Sequence, residues 1–118
     1  MTKPVTIYHN PRCSKSRETL ALLQQQGIEP EVVLYLDTPP DAAALGKLLK
    51  QLGFASAREL MRRKEDLYRE LNLADDSLTE AQLIQALADH PKLIERPIVV
   101  ANDKAKLGRP PEQVLDIL

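Results

Sequence analysis

Apolar positions fall first into short runs separated by turn residues, then into stripes at helical spacing. Val5-Thr6-Ile7-Tyr8 is β-branched and aromatic, which predicts a buried strand, and Asn10-Pro11-Arg12 breaks it. From about Lys15 to Gln26 the period is helical, with Leu20 and Leu23 on one face and Gly27 as the stop. Glu31 to Leu36 contains Val32-Val33-Leu34-Tyr35-Leu36, a nearly continuous apolar run that predicts a strand buried on both faces. Strand, helix, strand in that order predicts a parallel pair with a right-handed crossover and the helix on one sheet face.

A long helical stretch comes next. Thr38-Pro39-Pro40-Asp41 reads as a helix start, with Thr38 as N-cap, Pro39 at N1 and Asp41 at N3. Leu45, Leu48, Leu49 and Leu52 follow at helical spacing, and Gly53 ends the element. Ser56-Ala57-Arg58-Glu59 is a capping box that opens a helix through Leu60 and Met61. Thr79-Glu80-Ala81-Gln82 is another, opening a helix that buries Leu83, Ala86 and Leu87 and stops before Pro91. Residues from about 39 to 91 are thus helical, with no strand signal. That signal returns at Pro97-Ile98-Val99-Val100, with Asn102-Asp103 as a hairpin turn and a short strand from Lys104 to Leu107. Gly108-Arg109-Pro110-Pro111 breaks the chain, and Glu112 to Leu118 reads as a last helix. The sum is one α/β domain over residues 1–118, β-α-β then β-β-α. It is a thioredoxin-like fold with an all-helical insertion at about 39–91, between the second and third strands.

Composition narrows the function classes. The chain has 118 residues, the size of one domain and too few for two. Net charge is −1, so nothing in the overall balance points to nucleic acid or an anionic membrane. No apolar run approaches the roughly 18 residues of a membrane span. The start, Met1-Thr2-Lys3-Pro4-Val5, lacks the apolar stretch of a secretory leader, and with a free thiol this predicts a cytoplasmic protein. One cysteine cannot form an internal disulfide, and with two histidines a protein-held metal is not expected.

The lone cysteine is the centre of the candidate chemistry. Cys13 lies between the first strand and the first helix, where backbone N–H groups and the positive end of the helix dipole favour thiolate over thiol. Arg12, Lys15 and Arg17 add positive charge within one turn. The same arrangement suits an oxyanion. His9 either assists deprotonation of Cys13 or is a structural histidine held by backbone. Ser14 reads mainly as a helix cap; Ser16 reads equally as a cap or an oxyanion donor. Thiol-disulfide enzymes with Cys-x-x-Cys carry a second cysteine where this chain has Ser16, so an outside thiol must complete any redox cycle. Arg96 before Pro97 and Arg109 between Gly108 and Pro110 sit in Pro-bounded loops that would hold a planar guanidinium fork for bidentate contact. Arg62 is not distinguished by spacing from Arg58, Arg63 and Arg69, which read as solvated surface residues.

These residues bring a family into view. His9-Asn10-Pro11-Arg12-Cys13-Ser14-Lys15-Ser16-Arg17 resembles the catalytic loop of the glutaredoxin-coupled arsenate reductases. Tyr35-Leu36-Asp37-Thr38-Pro39-Pro40, Leu93-Ile94-Glu95-Arg96-Pro97-Ile98-Val99-Val100 and Gly108-Arg109-Pro110-Pro111 with Val114-Leu115-Asp116-Ile117-Leu118 resemble its further segments, in the same order. The resemblance implies Cys13 as nucleophile toward arsenate, His9 near the thiolate, and Arg62, Arg96 and Arg109 around the oxyanion. Ser14 and Ser16 stand with them in the substrate-binding loop. It implies glutathione and glutaredoxin as reductants, arsenate as substrate, no bound cofactor, and no nucleic-acid or membrane partner. It also implies a cis bond at Arg96–Pro97. The end at Leu118 is similar to the shorter, chromosomal branch. Two other readings stay open. One is a monothiol oxidoreductase acting on another substrate. The other is a polymerase-binding transcriptional regulator, against which Ser16 in place of a second cysteine and the retained arginines both count.

Overall fold

A computed structural model describes residues 4–118; Met1, Thr2 and Lys3, part of the opening segment read for a leader, lie outside the described residues. The chain forms two compact units, one built from residues up to Thr38 and from Arg96 onward, the other from Pro39–Glu95.

The first unit holds the sheet. Strand β1 is Val5–Tyr8, helix α1 Ser14–Gln25 and strand β2 Glu31–Val33, and β1 and β2 are parallel as the β-α-β order predicts. Strands β3 (Ile98–Ala101) and β4 (Lys104–Leu107) form the expected hairpin, and the four strands lie in the order β2-β1-β3-β4. Asn102 and Asp103, at φ 55° and 64°, are both left-handed, which matches the twist of a two-residue hairpin. Val5, Ile7, Leu23, Val99, Ala101, Val114 and Ile117 form the core of this unit.

The second strand departs from expectation. It is three residues long, and Val32, Leu34 and Leu36 are 43%, 40% and 44% exposed. The run is apolar, but β2 is an edge strand, paired among the described residues with β1 alone, so a continuous apolar stretch does not mean burial on two faces here. The N–H groups of Asp37 and Thr38 both donate to the Leu34 carbonyl at 2.9 Å and turn the chain off the sheet, leaving Tyr35 alone buried.

In the second unit, α2 is Ala42–Leu52, α3 Asp66–Glu70 and α4 Glu80–Asp89. The N-cap of α2 is Asp41, whose side chain accepts from the Ala44 N–H at 2.8 Å, and not Thr38. Thr38 and Pro39 each precede a proline and are pushed toward extended backbone, so the helix starts only beyond Pro40. Gly53, at φ 75°, closes α2. Both capping boxes form, at Ser56 with Glu59 and at Thr79 with Gln82. The first opens only a 3-10 turn, Ala57–Leu60, because Met61 leaves to pair with Ile94 as a β-bridge, which the helical reading of this region did not include. The last segment, Pro111–Ile117, is likewise 3-10 helix and not α-helix. Its buried Val114 and Ile117 recur at the period of three that this winding needs. Among the described residues no helix is long and apolar enough to cross a membrane.

Candidate active site

Register decides what meets at the site. β1 is antiparallel to β3 with Tyr8 opposite Ile98, and β3 is antiparallel to β4 with Ile98 opposite Leu107. The exit of β1, the entry of β3 and the exit of β4 therefore lie at one end of the sheet. Cys13 follows the first, Arg96 precedes the second and Arg109 follows the third. Chain positions nearly a hundred residues apart become neighbours through two strand pairings.

The Cys13 loop is built by local hydrogen bonds. His9 extends the ladder, donating its N–H to the Val33 carbonyl at 2.8 Å. Asn10 then accepts twice: its carbonyl from the Cys13 N–H and its side chain from the Arg12 N–H, both at 3.0 Å. That double use fixes the turn through Pro11 and Arg12. The Arg17 guanidinium reaches back to the Pro11 carbonyl at 2.9 Å, and the Arg17 N–H donates to the Cys13 carbonyl at 3.0 Å as the first bond of α1. Cys13 is thus the N-cap, with extended backbone (φ −95°, ψ 124°), in a position that usually carries an oxygen side chain.

The thiol is half-buried, and its pKa lies below the ordinary cysteine value. Burial is the largest influence and opposes ionisation. It is outweighed by the Ser16 N–H, the Arg96 charge, the Lys15 N–H and the Arg109 charge acting together. The sulfur closes no capping hydrogen bond as a thiol, so these groups act on the ionised form.

Ser16 is fully buried, and its hydroxyl lies 2.6 Å from His9 Nδ1 while accepting from the Asn10 N–H at 3.0 Å. A serine hydroxyl has one proton and two lone pairs, so this one group serves the His9 ring and the Asn10 N–H together. The His9 pKa is lowered, by burial first and then by the Arg17 charge. So His9 and Ser16 join the strand end to the helix start beneath the loop, while Ser14 begins α1 on the exposed side.

Arg96–Pro97 is cis, as expected, and Arg109–Pro110, which was not foreseen, is cis too. The Arg109 guanidinium donates to the Arg96 carbonyl at 3.1 Å, and the Gly108 N–H to the Pro97 carbonyl at 3.0 Å, so the two arginine loops are tied together. Arg62 belongs to the second unit. Its N–H donates to the Leu93 carbonyl at 2.8 Å and its guanidinium pairs with Glu65 at 2.8 Å, both side chains being less than a third exposed. Arg69 is a solvated ion-pair residue with Asp66, as expected. Arg58 is not a solvated residue: it is half-buried and holds the Leu73 and Asp75 carbonyls at 3.0 and 2.6 Å. Asn10, Thr19 and Gly108 were missed as site-builders. The sequence signal for Asn10 and Gly108 was the breaker runs they occupy, and Thr19, inside α1, carried none.

The description "ArsC family" matches residues 8–117. The chain belongs to the ArsC family. It is 75% identical over 118 residues to the Escherichia coli K12 protein named "Uncharacterized protein YfgD", covering 100% of this chain and 99% of that one. It is 55% identical over 114 residues to a Neisseria meningitidis protein named arsenate reductase, covering 97% of each. Among solved structures it is similar to one titled arsenate reductase from Vibrio cholerae, at 59% identity, with a TM-score of 0.98 and 100% of each chain covered. For an ArsC member, the thioredoxin-like α/β architecture follows the pattern read from strand and helix order.

Proposed function

We propose that this chain is an arsenate reductase whose nucleophile is the Cys13 thiolate and whose reductants are glutathione and glutaredoxin. The observation that carries the reading is the N-cap thiol, whose ionisation is favoured by two backbone N–H groups and by the charges of Arg96 and Arg109, in a chain similar over its length to proteins named arsenate reductase. Arsenate is a tetrahedral dianion, and the same groups that favour a thiolate favour its oxygens. Arg96 and Arg109 bind it. The resemblance gives Arg62 the same role, and Ser14 and Ser16 contribute through the first turn of α1, Ser16 by its N–H because its hydroxyl is committed to His9.

In the chemistry, the Cys13 sulfur bonds to arsenic and an arsenate oxygen leaves as hydroxide or water. A glutathione thiol then attacks. The two sulfurs leave joined as a mixed disulfide, their two electrons reduce arsenic from the pentavalent to the trivalent state, and glutaredoxin reduces the disulfide. The chain has one cysteine, so the second sulfur must come from outside. His9 acts as the neutral partner of Ser16, setting the loop. A free thiol that depends on glutathione fits a reducing compartment, the cytoplasm.

The test is arsenate-dependent consumption of reductant with glutathione, with and without glutaredoxin, beside Cys13→Ser. Activity that needs both reductants and disappears in the variant supports the reading. A wild-type protein with an alkylatable Cys13 and no arsenate-dependent turnover overturns it.

A further inference from the structure

We propose that Gly108 and Thr19 are positioning residues that seat the arginine loop against the first turns of α1, and so set how strongly Arg96 and Arg109 act on Cys13. Gly108 is buried, and its conformation is not one that only glycine adopts; space alone explains the residue. A Cβ at 108 would overlap Thr19 Oγ1, approach Pro97 Cγ at 2.8 Å and Thr19 Cγ2 at 3.1 Å. None of these neighbours is free to yield. Thr19 is fully buried and β-branched, with its hydroxyl bound to the Lys15 carbonyl at 2.7 Å. Pro97 is a ring inside the tied pair of arginine loops, whose contacts are the Gly108 N–H to the Pro97 carbonyl and the Arg109 guanidinium to the Arg96 carbonyl.

The consequence is geometric. Residue 108 touches α1 one turn beyond Lys15, whose N–H supports the thiolate, and it touches Pro97 next to Arg96. A side chain there must push the arginine loops away from the helix that carries Cys13. Both arginine charges favour the thiolate, so their retreat weakens it, and an oxyanion loses its clamp at the same time. The thiolate arm of this inference is independent of substrate; the arsenate arm rests on the function proposed above.

The experiment is Gly108→Ala, Thr19→Ala and the double variant, each shown to be folded by circular dichroism. Two quantities are read: the midpoint of Cys13 alkylation by a neutral reagent against pH, and the separate kcat and KM for arsenate. Gly108→Ala should move the midpoint upward and raise KM by about tenfold, the scale of one lost charge-assisted contact, with a smaller change in kcat. The double variant should recover part of both, because two of the three colliding atoms are gone. If Gly108→Ala does not fold, Thr19→Ile makes the test from the helix side with the glycine intact, and should move the midpoint the same way. An unmoved midpoint in a folded Gly108→Ala or Thr19→Ile protein overturns the proposal, as does a double variant with no recovery. A midpoint that moves in a protein without arsenate turnover keeps the seat and removes the substrate reading.

Discussion

Replacing Arg96 or Arg109 by lysine separates charge from shape at the proposed oxyanion site. Lysine keeps the positive charge and loses the planar fork. The Arg109 fork already spends one arm on the Arg96 carbonyl at 3.1 Å, and a lysine, with its donors on one nitrogen, lacks the second fixed arm that faces an oxyanion at the same time. Loss of a charge-assisted hydrogen bond costs about 1.5–3 kcal/mol. Arg109 is exposed and its contact is screened, which places it at the lower end; Arg96 is half-buried and belongs at the upper end. The expected loss in kcat/KM for arsenate is thus about tenfold for Arg109→Lys and about a hundredfold or more for Arg96→Lys. Because the charge stays, Cys13 should remain more acidic than an ordinary thiol in both, and alkylation by a neutral reagent should hardly change. The control is Arg69→Lys, at a position whose ion pair with Asp66 is about 80% exposed on both sides. Arg58 would be a poor control, since it holds two backbone carbonyls. Equal kcat/KM in all three variants would refute the clamp.

Four further outcomes follow from the same geometry. Alkylation of wild-type Cys13 against pH should show a thiolate titrating below the ordinary value of about 8.5, and a normal midpoint would remove the activated thiol. The His9 pKa is lowered, so below about 6.5 the unfolded chain binds a proton that the folded chain refuses; stability present above that pH should drain as pH falls, and His9→Asn should show a flatter urea-derived profile. Arg58→Lys should lower stability by about 1–2 kcal/mol, read as an earlier urea midpoint, because lysine lacks the planar fork whose two nitrogens reach the Leu73 and Asp75 carbonyls. Gly46, inside α2 with nothing within 4 Å of an added Cβ, should accept alanine with a gain of about 0.5–1 kcal/mol, and a loss of stability there would contradict the open space.

Local signals were legible where the residues that cause a feature are adjacent in the chain. Both capping boxes, the Gly27 and Gly53 stops and the Asn102-Asp103 turn are made by groups within four residues of one another, and each formed. Features that depend on distant partners were misread. An apolar run reports a preference for burial, but whether Val32 is covered depends on β2 being the outer strand, which is a fact about strand order. Met61 looked like the end of a helix because its bridge partner, Ile94, is 33 positions away. Thr38 looked like a cap because the pattern weighs Pro39 at N1 and omits that Pro39 itself precedes a proline.

The site shows the same division more sharply, since identical residue types meet different fates. The prolines beside Arg96 and Arg109 set them apart from Arg58 and Arg69, but nothing in their immediate neighbours says what each arginine meets. Arg69 meets Asp66 in solvent, Arg58 is consumed by two carbonyls, and Arg96 and Arg109 meet Cys13 because Tyr8, Ile98 and Leu107 stand in register. The cysteine was findable because its chemistry is local: the N–H groups that favour its thiolate belong to the next three residues. The charges that complete the effect are set by β-pairing, and the spacing between them and the thiol by a glycine that fills a gap only its own size allows. A proline-bounded arginine is therefore informative only with the register that aims it. In this chain that register is carried by four-residue strands, two with apolar runs visible in the sequence and a third, Lys104–Leu107, that reads as polar.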